Sequence, residues 1–192
     1  MAGNVSSDKA AQRQVAEARR RALSPDVVAR WGGEVQAHLA ALPLLQAAST
    51  VAAYAAQAFE VPLSSCLDAF AARGAQVLLP RLVRGSRVLA FTTGHGGDAA
   101  DFTPLPAGSV GVPLDTVGVW LVPGVAFTRD GRRLGRGRGY YDATLALRAP
   151  TSVLVGIAFE CSIFDTLTTE PHDVSVDWLA TERGVFRTRR GS

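Results

Sequence analysis

The sequence predicts an α/β protein, a single three-layer α/β/α domain with a mainly parallel central sheet. Its strand candidates are continuous apolar runs, which is typical of strands buried on both faces. Helical segments separate these runs along the chain, and that order produces parallel strands. At 192 residues, with 47% hydrophobic and 19% charged residues, the chain is long enough for one well-packed core.

The N-terminal segment is predicted to contain two helices. Residues 1–8 are polar and are expected to be disordered. Residues 9–22 are rich in Ala, Gln, Glu and Arg, which are good helix formers. Ser24 followed by Pro25 has the pattern of a helix cap and first helical residue, so a second helix is expected to run to about Leu42.

The remainder of the chain alternates between strand candidates and short helices. One helix is expected at 62–73, ended by Gly74, and another at 142–148. The segment 93–116 contains several glycines and prolines and is predicted to be a loop. The predicted strands are 49–56, 75–80, 87–92, 117–122 and 152–159, with short terminal strands at WLAT (178–181) and GVFR (184–187).

Composition argues against several classes of protein. The longest apolar stretches fall far short of the ~18 residues of a membrane-spanning helix, and the polar start lacks the apolar core of a secretory signal. Cys66 and Cys161 are too few for a disulfide framework. We therefore expect a cytoplasmic protein whose single domain spans 9–187, followed by a flexible tail at 188–192.

The net charge of +3 raises the question of nucleic-acid binding. The basic surplus is divided among the N-terminal helix, a glycine-rich loop and the terminal RTRR. Nucleic-acid binders usually carry their basic residues along one continuous face. We therefore expect small-molecule ligands, with no nucleic-acid or membrane partner, and a monomer or weak dimer.

The segment most informative about function is LVPGVAFTRDGRRLGRGRGYYD, residues 121–142. Gly135, Gly137 and Gly139 alternate with arginines, and YYD then begins a predicted helix. Glycine permits positive φ and a close approach of ligand to backbone, while arginine donates paired hydrogen bonds to phosphate or carboxylate. The loop is expected to follow a strand directly and so to lie at the carboxyl edge of the sheet, where ligands bind. It is predicted to bind an anion.

By itself the glycine pattern leaves alternatives open. G-x-G-x-G matches neither a Walker loop nor the dinucleotide fingerprint, and it fits a solvated surface turn about equally well. The strand before it and the helix after it favour anion binding, because free backbone N–H groups cluster at a helix N-terminus. Asp142, in the first turn of that helix, fits either a helix cap or a magnesium ligand.

RLGRGRGYYD resembles the signature of the 5-formyltetrahydrofolate cyclo-ligase family, also called methenyltetrahydrofolate synthetase. The resemblance extends in order over nearly the whole chain, through Lys9-x-x-x-Arg13, a strand ending near Glu60, and EPHDVSVDWLAT. It implies ATP- and Mg²⁺-dependent conversion of 5-formyltetrahydrofolate to 5,10-methenyltetrahydrofolate, with release of ADP and phosphate. In the implied mechanism the formyl oxygen attacks the γ-phosphate of ATP, N10 attacks the formyl carbon, and phosphate leaves.

The resemblance also implies roles for individual residues. The implied catalytic residues are Lys9, Arg138 and Tyr141. ATP would be bound by Lys9, Arg13, Arg133, Leu134, Gly135, Arg136, Gly137, Arg138, Gly139, Tyr140 and Tyr141. Folate would contact Tyr54, Ala55, Glu60, Gly137, Arg138, Gly139 and Tyr140. Mg²⁺ would be held by Asp142 and Asp173.

Several of these residues also have ordinary structural explanations. Lys9 and Arg13 fit a solvated helix face, Tyr54 fits the core, and Asp173 fits a turn. A non-catalytic folate- or nucleotide-binding relative, or an enzyme of related fold acting on sugar phosphates or CoA esters, is the alternative function. Several separated matches in one order favour the cyclo-ligase. The segment 105–118 departs from the family by being shortened.

Overall fold

A seven-stranded mixed sheet forms the centre of the molecule. The structure is a computed structural model that describes residues 3–94 and 103–188, with side chains from Asp8 onward. The strands in these ranges are β1 (Thr50–Ala52), β2 (Gln76–Arg81), β3 (Ala90–Thr93), β4 (Val119–Pro123), β5 (Ala126–Thr128), β6 (Arg133–Leu134), β7 (Val153–Ile157), β8 (Ile163–Phe164), β9 (Trp178–Thr181) and β10 (Gly184–Arg187).

The order of strands in the central sheet is β10-β9-β7-β4-β1-β2-β3. The inner pairs β9–β7, β7–β4, β4–β1 and β1–β2 are parallel. The two edge pairs, β2–β3 and β9–β10, are antiparallel hairpin-type pairs. The predicted mainly parallel sheet is therefore confirmed.

Helices flank the sheet, as the predicted three-layer α/β/α class requires. In the described ranges these are α1 (Gly3–Arg21), α2 (Pro25–Ala41), α3 (Pro43–Gln46), α4 (Ser64–Ala72) and α5 (Tyr140–Leu145). Burial is continuous along β4, where Val119–Val122 are all buried, as expected for a strand covered on both faces. Trp120 of β4 packs edge-on against Phe91 of β3, with ring centroids 5.1 Å apart.

The helix ends follow the sequence signals closely. The Ser24 hydroxyl accepts a hydrogen bond from Val27 N at 3.3 Å, and Pro25 is the first residue of α2, as predicted. Gly74 follows α4 with φ +87°, the left-handed conformation that favours glycine after a helix. Helix α1 begins at Gly3 rather than at Lys9, so it includes part of the segment expected to be disordered. No helix in the described ranges combines the length and apolarity needed to cross a membrane.

A second, three-stranded sheet with the order β6-β5-β8 was not predicted. Strands β5 and β6 pair in an antiparallel hairpin, and β8 joins β5 in parallel. The glycine loop therefore follows a strand directly, as predicted, but that strand is β6, and the hairpin of β5 and β6 separates the loop from β4. Strands of two or three residues are too short to show the period-2 pattern by which strands are recognised in sequence.

Several helix and strand boundaries in the structure also differ from the predicted ones. Strand β1 is shorter than 49–56, β3 starts later than 87–92, and α5 starts before Asp142 and ends at Leu145. Thr188 is buried and its hydroxyl donates to Val176 O at 2.7 Å, so Thr188 belongs to the fold rather than to a flexible tail. The rest of the predicted tail, 189–192, and part of the predicted loop, 95–102, lie outside the described residues.

Candidate active site

A cavity of about 700 Å³ opens at the carboxyl ends of the central strands. Ala55 follows β1, Leu82 follows β2 and Gly124 follows β4, and all three line this cavity. In open α/β sheets this edge is the usual place for ligands. Every residue predicted for the site lines the cavity: Lys9, Arg13, Tyr54, Ala55, Glu60, Arg133, Leu134, Gly135, Arg136, Gly137, Arg138, Gly139, Tyr140, Tyr141, Asp142 and Asp173.

The glycine loop is held against α1 by Arg13. The Arg13 Nε donates a hydrogen bond to Gly135 O at 2.8 Å, between residues 122 positions apart. Gly137 and Gly139 have φ of +90° and +71°, a conformation that side-chain-bearing residues rarely adopt. A Cβ on Gly137 would lie 3.4 Å from the Arg13 guanidinium carbon, which is ordinary contact. Glycine is therefore required there by backbone conformation rather than by lack of space.

Lys9 is buried in the cavity wall between two carboxylates. Its Nζ lies 2.7 Å from Asp173 Oδ2 and 2.9 Å from Glu170 Oε2, and only 6% of the residue is exposed. Burial alone disfavours the charged amine, but hydrogen bonds to Asp173 and Glu170 outweigh it and raise the pKa of Lys9. Burial likewise raises the pKa of Asp173, but the hydrogen bonds from Lys9 and from Glu170 N lower it overall. Both groups are therefore charged near neutral pH.

Arg133 and Asp142 form a second ion pair, where β6 meets α5. Arg133 Nη2 donates to Asp142 Oδ1, which also accepts a hydrogen bond from Val174 N at 3.2 Å. The Arg133 side chain is only 3% exposed, and its Nε has no hydrogen-bond partner among the described residues. Asp142 therefore links α5 to β6 and to the segment before β9, and it does not cap its own helix.

Arg136 and Glu60 form a third pair at the mouth of the cavity. Arg136 donates to Glu60 Oε1 from Nη2 at 2.7 Å and from Nε at 3.2 Å. The other carboxylate oxygen accepts a hydrogen bond from Gln57 N at 3.0 Å. The residue predicted to face the folate ring thus contacts a loop arginine in this structure.

The remaining arginines of the segment 129–138 divide between the cavity and the outer surface. Arg129 pairs with Glu160, and Arg132 pairs with Asp130. Within the segment only Asp130 opposes the arginines, but acidic residues from elsewhere in the chain neutralise most of them. Arg138 is exposed at the cavity and, among the residues described, has no ion-pair partner. It is therefore available to an anionic ligand.

Of the three tyrosines predicted to contact ligand, Tyr54 and Tyr141 differ in their surroundings. Tyr54 is 1% exposed and its hydroxyl donates to Val61 O at 2.7 Å, so this side chain belongs mainly to the core. The Tyr141 hydroxyl is buried at the cavity and has no hydrogen-bond partner among the described residues. Burial raises the pKa of Tyr141, which keeps it a neutral hydrogen-bond donor.

Sequence reasoning missed Glu170 and His172, which also line the cavity. Glu170, His172 and Asp173 each present a potential ligand atom, and these atoms lie within 4.8 Å of one another. Both residues belong to the EPHDVSVD segment that contains Asp173. Their closeness to Asp173 in the sequence was the signal that could have identified them. The turn expected for Asp173 is also present, because Asp173 N donates to Glu170 O at 3.0 Å.

Fold and cavity together define an α/β protein with a ligand-sized cavity, lined by charged side chains, at the carboxyl edge of its central sheet. The chain belongs to the 5-formyltetrahydrofolate cyclo-ligase family, whose model matches residues 5–182. The predicted family, the enzyme class and the place in folate one-carbon metabolism are thereby confirmed.

Individual relatives agree with this family. A 5-formyltetrahydrofolate cyclo-ligase from Mycolicibacterium smegmatis is 33% identical over 150 residues, covering 73% of this chain and 77% of the relative. One from Escherichia coli K12 is 29% identical over 176 residues, covering 88% and 97%. The solved 5,10-methenyltetrahydrofolate synthetase of Aquifex aeolicus has a TM-score of 0.79 at 29% identity, covering 96% of this chain and 94% of that one.

Proposed function

We propose that this protein converts 5-formyltetrahydrofolate to 5,10-methenyltetrahydrofolate, with consumption of ATP and release of ADP and phosphate. The observation that carries the proposal is that one cavity collects the α1 cations, the glycine loop, Glu60 and two aspartates from across the chain. Family membership indicates the reaction. The presence of the candidate residues in one cavity supports the roles proposed for them below.

The phosphate half of the site is the glycine loop with α1. Lys9 and Arg13 lie one helical turn apart and both reach the cavity. Arg138 is exposed there, and the loop backbone between Gly135 and Gly139 carries few side chains to obstruct a triphosphate. Phosphoryl transfer asks the protein mainly for positioning and charge stabilisation, which these groups supply.

The folate half of the site is centred on Glu60. A carboxylate can accept two parallel N–H bonds from the pterin ring, and Glu60 stands at the cavity with its charge held by Arg136. Ala55 and the buried Tyr54 form the adjoining wall of the cavity. Binding of the ring at Glu60 requires Arg136 to give up its hydrogen bonds, which frees that arginine for the nucleotide.

The proposed chemistry occurs where the two halves meet. The formyl oxygen of the folate attacks the γ-phosphorus, the bond to ADP breaks, and an imidate phosphate forms. N10 then attacks the formyl carbon, N10 loses its proton, and the C–O bond breaks to release phosphate. Arg138 stabilises charge on the transferred phosphoryl group, and the Tyr141 hydroxyl, which has no partner among the described residues, donates a hydrogen bond within the cavity.

Asp142 and Asp173 are the residues that we propose as ligands of Mg²⁺, which would neutralise phosphate charge. Among the described residues, hydrogen bonds to the Asp142 carboxylate all go to Oδ1, and those to the Asp173 carboxylate all go to Oδ2. Each carboxylate therefore has one oxygen that accepts no hydrogen bond from the described residues. Mg²⁺ commonly binds through one or two carboxylates and keeps several waters, so this donor set fits the ion.

The direct test is a turnover assay that follows the absorbance of the methenyl product. The protein is incubated with 5-formyltetrahydrofolate, MgCl₂ and ATP, and each component is omitted in turn. We expect product only with the complete mixture and one ADP per product. Product without ATP, or none with the complete mixture, would overturn the proposal.

A pair of arginine variants localises the nucleotide. Arg138→Ala should raise the KM for ATP at least about tenfold, because a charge-assisted hydrogen bond to phosphate is lost. Arg132→Ala removes the same charge six positions earlier, where Arg132 pairs with Asp130 and does not line the cavity. It should leave the KM unchanged, and equal effects of the two variants would place the nucleotide elsewhere.

A further inference from the structure

The ammonium group of Lys9 occupies a position between two carboxylates that suits a metal ion. We infer that Lys9 holds the place of a divalent cation at Glu170 and Asp173 until a nucleotide phosphate draws it away. The metal site is then completed only when the nucleotide binds, and Glu170 joins Asp173 as a ligand. This inference rests on the proposed function, because it needs a phosphate to which Lys9 can move.

The geometry shows that the two carboxylates already converge on one cation. Oxygens of Glu170 and Asp173 lie 2.9 Å and 2.7 Å from Lys9 Nζ. The cation arrives from α1, whereas the acidic residues precede β9, 161 and 164 positions along the chain. The ammonium group therefore comes from a different element and is not part of the acidic turn.

The charge balance favours replacing Lys9 by a divalent ion. One ammonium offsets one of the two carboxylates, so the group keeps a net negative charge while Lys9 is its cation. A divalent ion would offset both charges with the oxygen ligands that Mg²⁺ and Mn²⁺ prefer. Lys9 and such an ion cannot share the site, since two cations within about 4 Å repel each other strongly.

The position of Lys9 also provides a route out of the carboxylate pair. It lines the same cavity as Arg13 and the glycine loop, where the triphosphate is proposed to bind. A lysine carries its charge on a flexible four-carbon stem, so its ammonium can move by several ångströms without moving α1. Once Lys9 contacts phosphate, Glu170 and Asp173 are left facing each other and bind a metal ion more strongly.

The test measures metal binding to the full chain without nucleotide or folate. Mn²⁺ is the probe, and its affinity is determined by calorimetric titration and by the electron paramagnetic resonance signal of free Mn²⁺. Lys9→Met should bind Mn²⁺ at least about tenfold more tightly than the wild type, because the competing cation is gone. Adding Glu170→Gln to Lys9→Met should abolish that gain.

Arg13→Met is the matched control. It removes one positive charge from the same helix and the same cavity, but Arg13 contacts the carbonyl of Gly135 rather than a carboxylate. It should leave the Mn²⁺ affinity unchanged. Lys9→Gln provides the same measurement as Lys9→Met if the methionine variant fails to fold.

An unchanged affinity in the Lys9 variants would overturn the inference, as would an equal gain in Arg13→Met. A gain that survives Glu170→Gln would remove Glu170 from the site and overturn it as well. The turnover of the wild type is measured separately. An active enzyme with no Mn²⁺ gain in the variants refutes this inference alone. A gain in an inactive protein refutes the proposed function and the displacement of Lys9 by nucleotide, and leaves only the competition between Lys9 and the metal ion.

Discussion

Glu60 and Arg136 contact each other but are proposed to bind different ligands, so substitutions at this pair separate the two halves of the site. The Glu60 carboxylate is proposed to hold the folate ring, and the Arg136 guanidinium is proposed to hold ATP. Arg136 reaches Glu60 Oε1 with Nη2 at 2.7 Å and with Nε at 3.2 Å. Glu60→Gln and Arg136→Gln break the same ion pair.

The expected losses of stability and of substrate affinity follow from the exposure and hydrogen bonds of the pair. The Arg136 side chain is 43% exposed, so solvent screens the pair and its loss should destabilise the fold by at most about 1 kcal/mol. A hydrogen bond to a charged group contributes about 1.5–3 kcal/mol to binding. Loss of one such bond in Glu60→Gln should therefore raise the KM for folate by about 10- to 150-fold.

The assay follows methenyl absorbance at saturating concentrations of one substrate while the other is varied. Glu60→Gln should raise the KM for 5-formyltetrahydrofolate and leave the KM for ATP within about twofold of the wild type. Arg136→Gln should raise the KM for ATP and leave the KM for 5-formyltetrahydrofolate within about twofold of the wild type. Thermal unfolding measured on the same preparations separates these effects from loss of folded protein.

The result that would refute this reasoning is a common effect of the two variants. If both raise the same KM by the same factor, the pair acts only by holding the loop against Glu60. If Glu60→Gln leaves the KM for folate unchanged, the carboxylate does not contact the ring.

Three further substitutions test other parts of the site. Gly137→Ala should cost about 1–2 kcal/mol of unfolding free energy, because φ is +90° there, and an unchanged midpoint in urea would show that the loop relaxes. Tyr141→Phe should leave the unfolding free energy unchanged or slightly higher while lowering kcat/KM, since the hydroxyl has no partner among the described residues; full activity would exclude it from the chemistry. Asp173→Asn should destabilise the protein near neutral pH by an amount that shrinks below about pH 4. Burial raises the pKa of Asp173 but hydrogen bonds from Lys9 and Glu170 N lower it overall, so its contribution is present above the unfolded pKa and is lost in acid. Chemical unfolding from pH 3 to pH 8 measures this, and a difference that stays constant to pH 3 would contradict it.

Local sequence signals predicted the fold class and the glycine loop, whereas the roles of Lys9, Arg13, Glu60 and Asp173 were implied by the family resemblance. Ser24 and Pro25 have the expected roles at the start of α2, and the predicted glycine loop lies at the carboxyl edge of the sheet. These features depend on residues close together in sequence, where capping and glycine conformations are decided. Helix starts and the glycine loop could therefore be proposed from the local sequence alone.

The pairing of these residues could not be predicted in the same way. Lys9 is 164 positions from Asp173, and Arg136 is 76 positions from Glu60. Which cation meets which carboxylate depends on how α1 and the glycine loop pack in three dimensions. Glu170 was missed for the same reason, because its ion pair with Lys9 depends on where α1 packs.

The central claim, that the formyl oxygen attacks the γ-phosphate of ATP, is tested most directly by isotope transfer. 5-Formyltetrahydrofolate labelled with ¹⁸O in the formyl group is converted with unlabelled Mg·ATP, and the released phosphate is analysed by mass spectrometry. Attack by the formyl oxygen predicts one ¹⁸O atom in each phosphate released. Unlabelled phosphate would show that ATP is cleaved by water, and the proposed chemistry would be wrong.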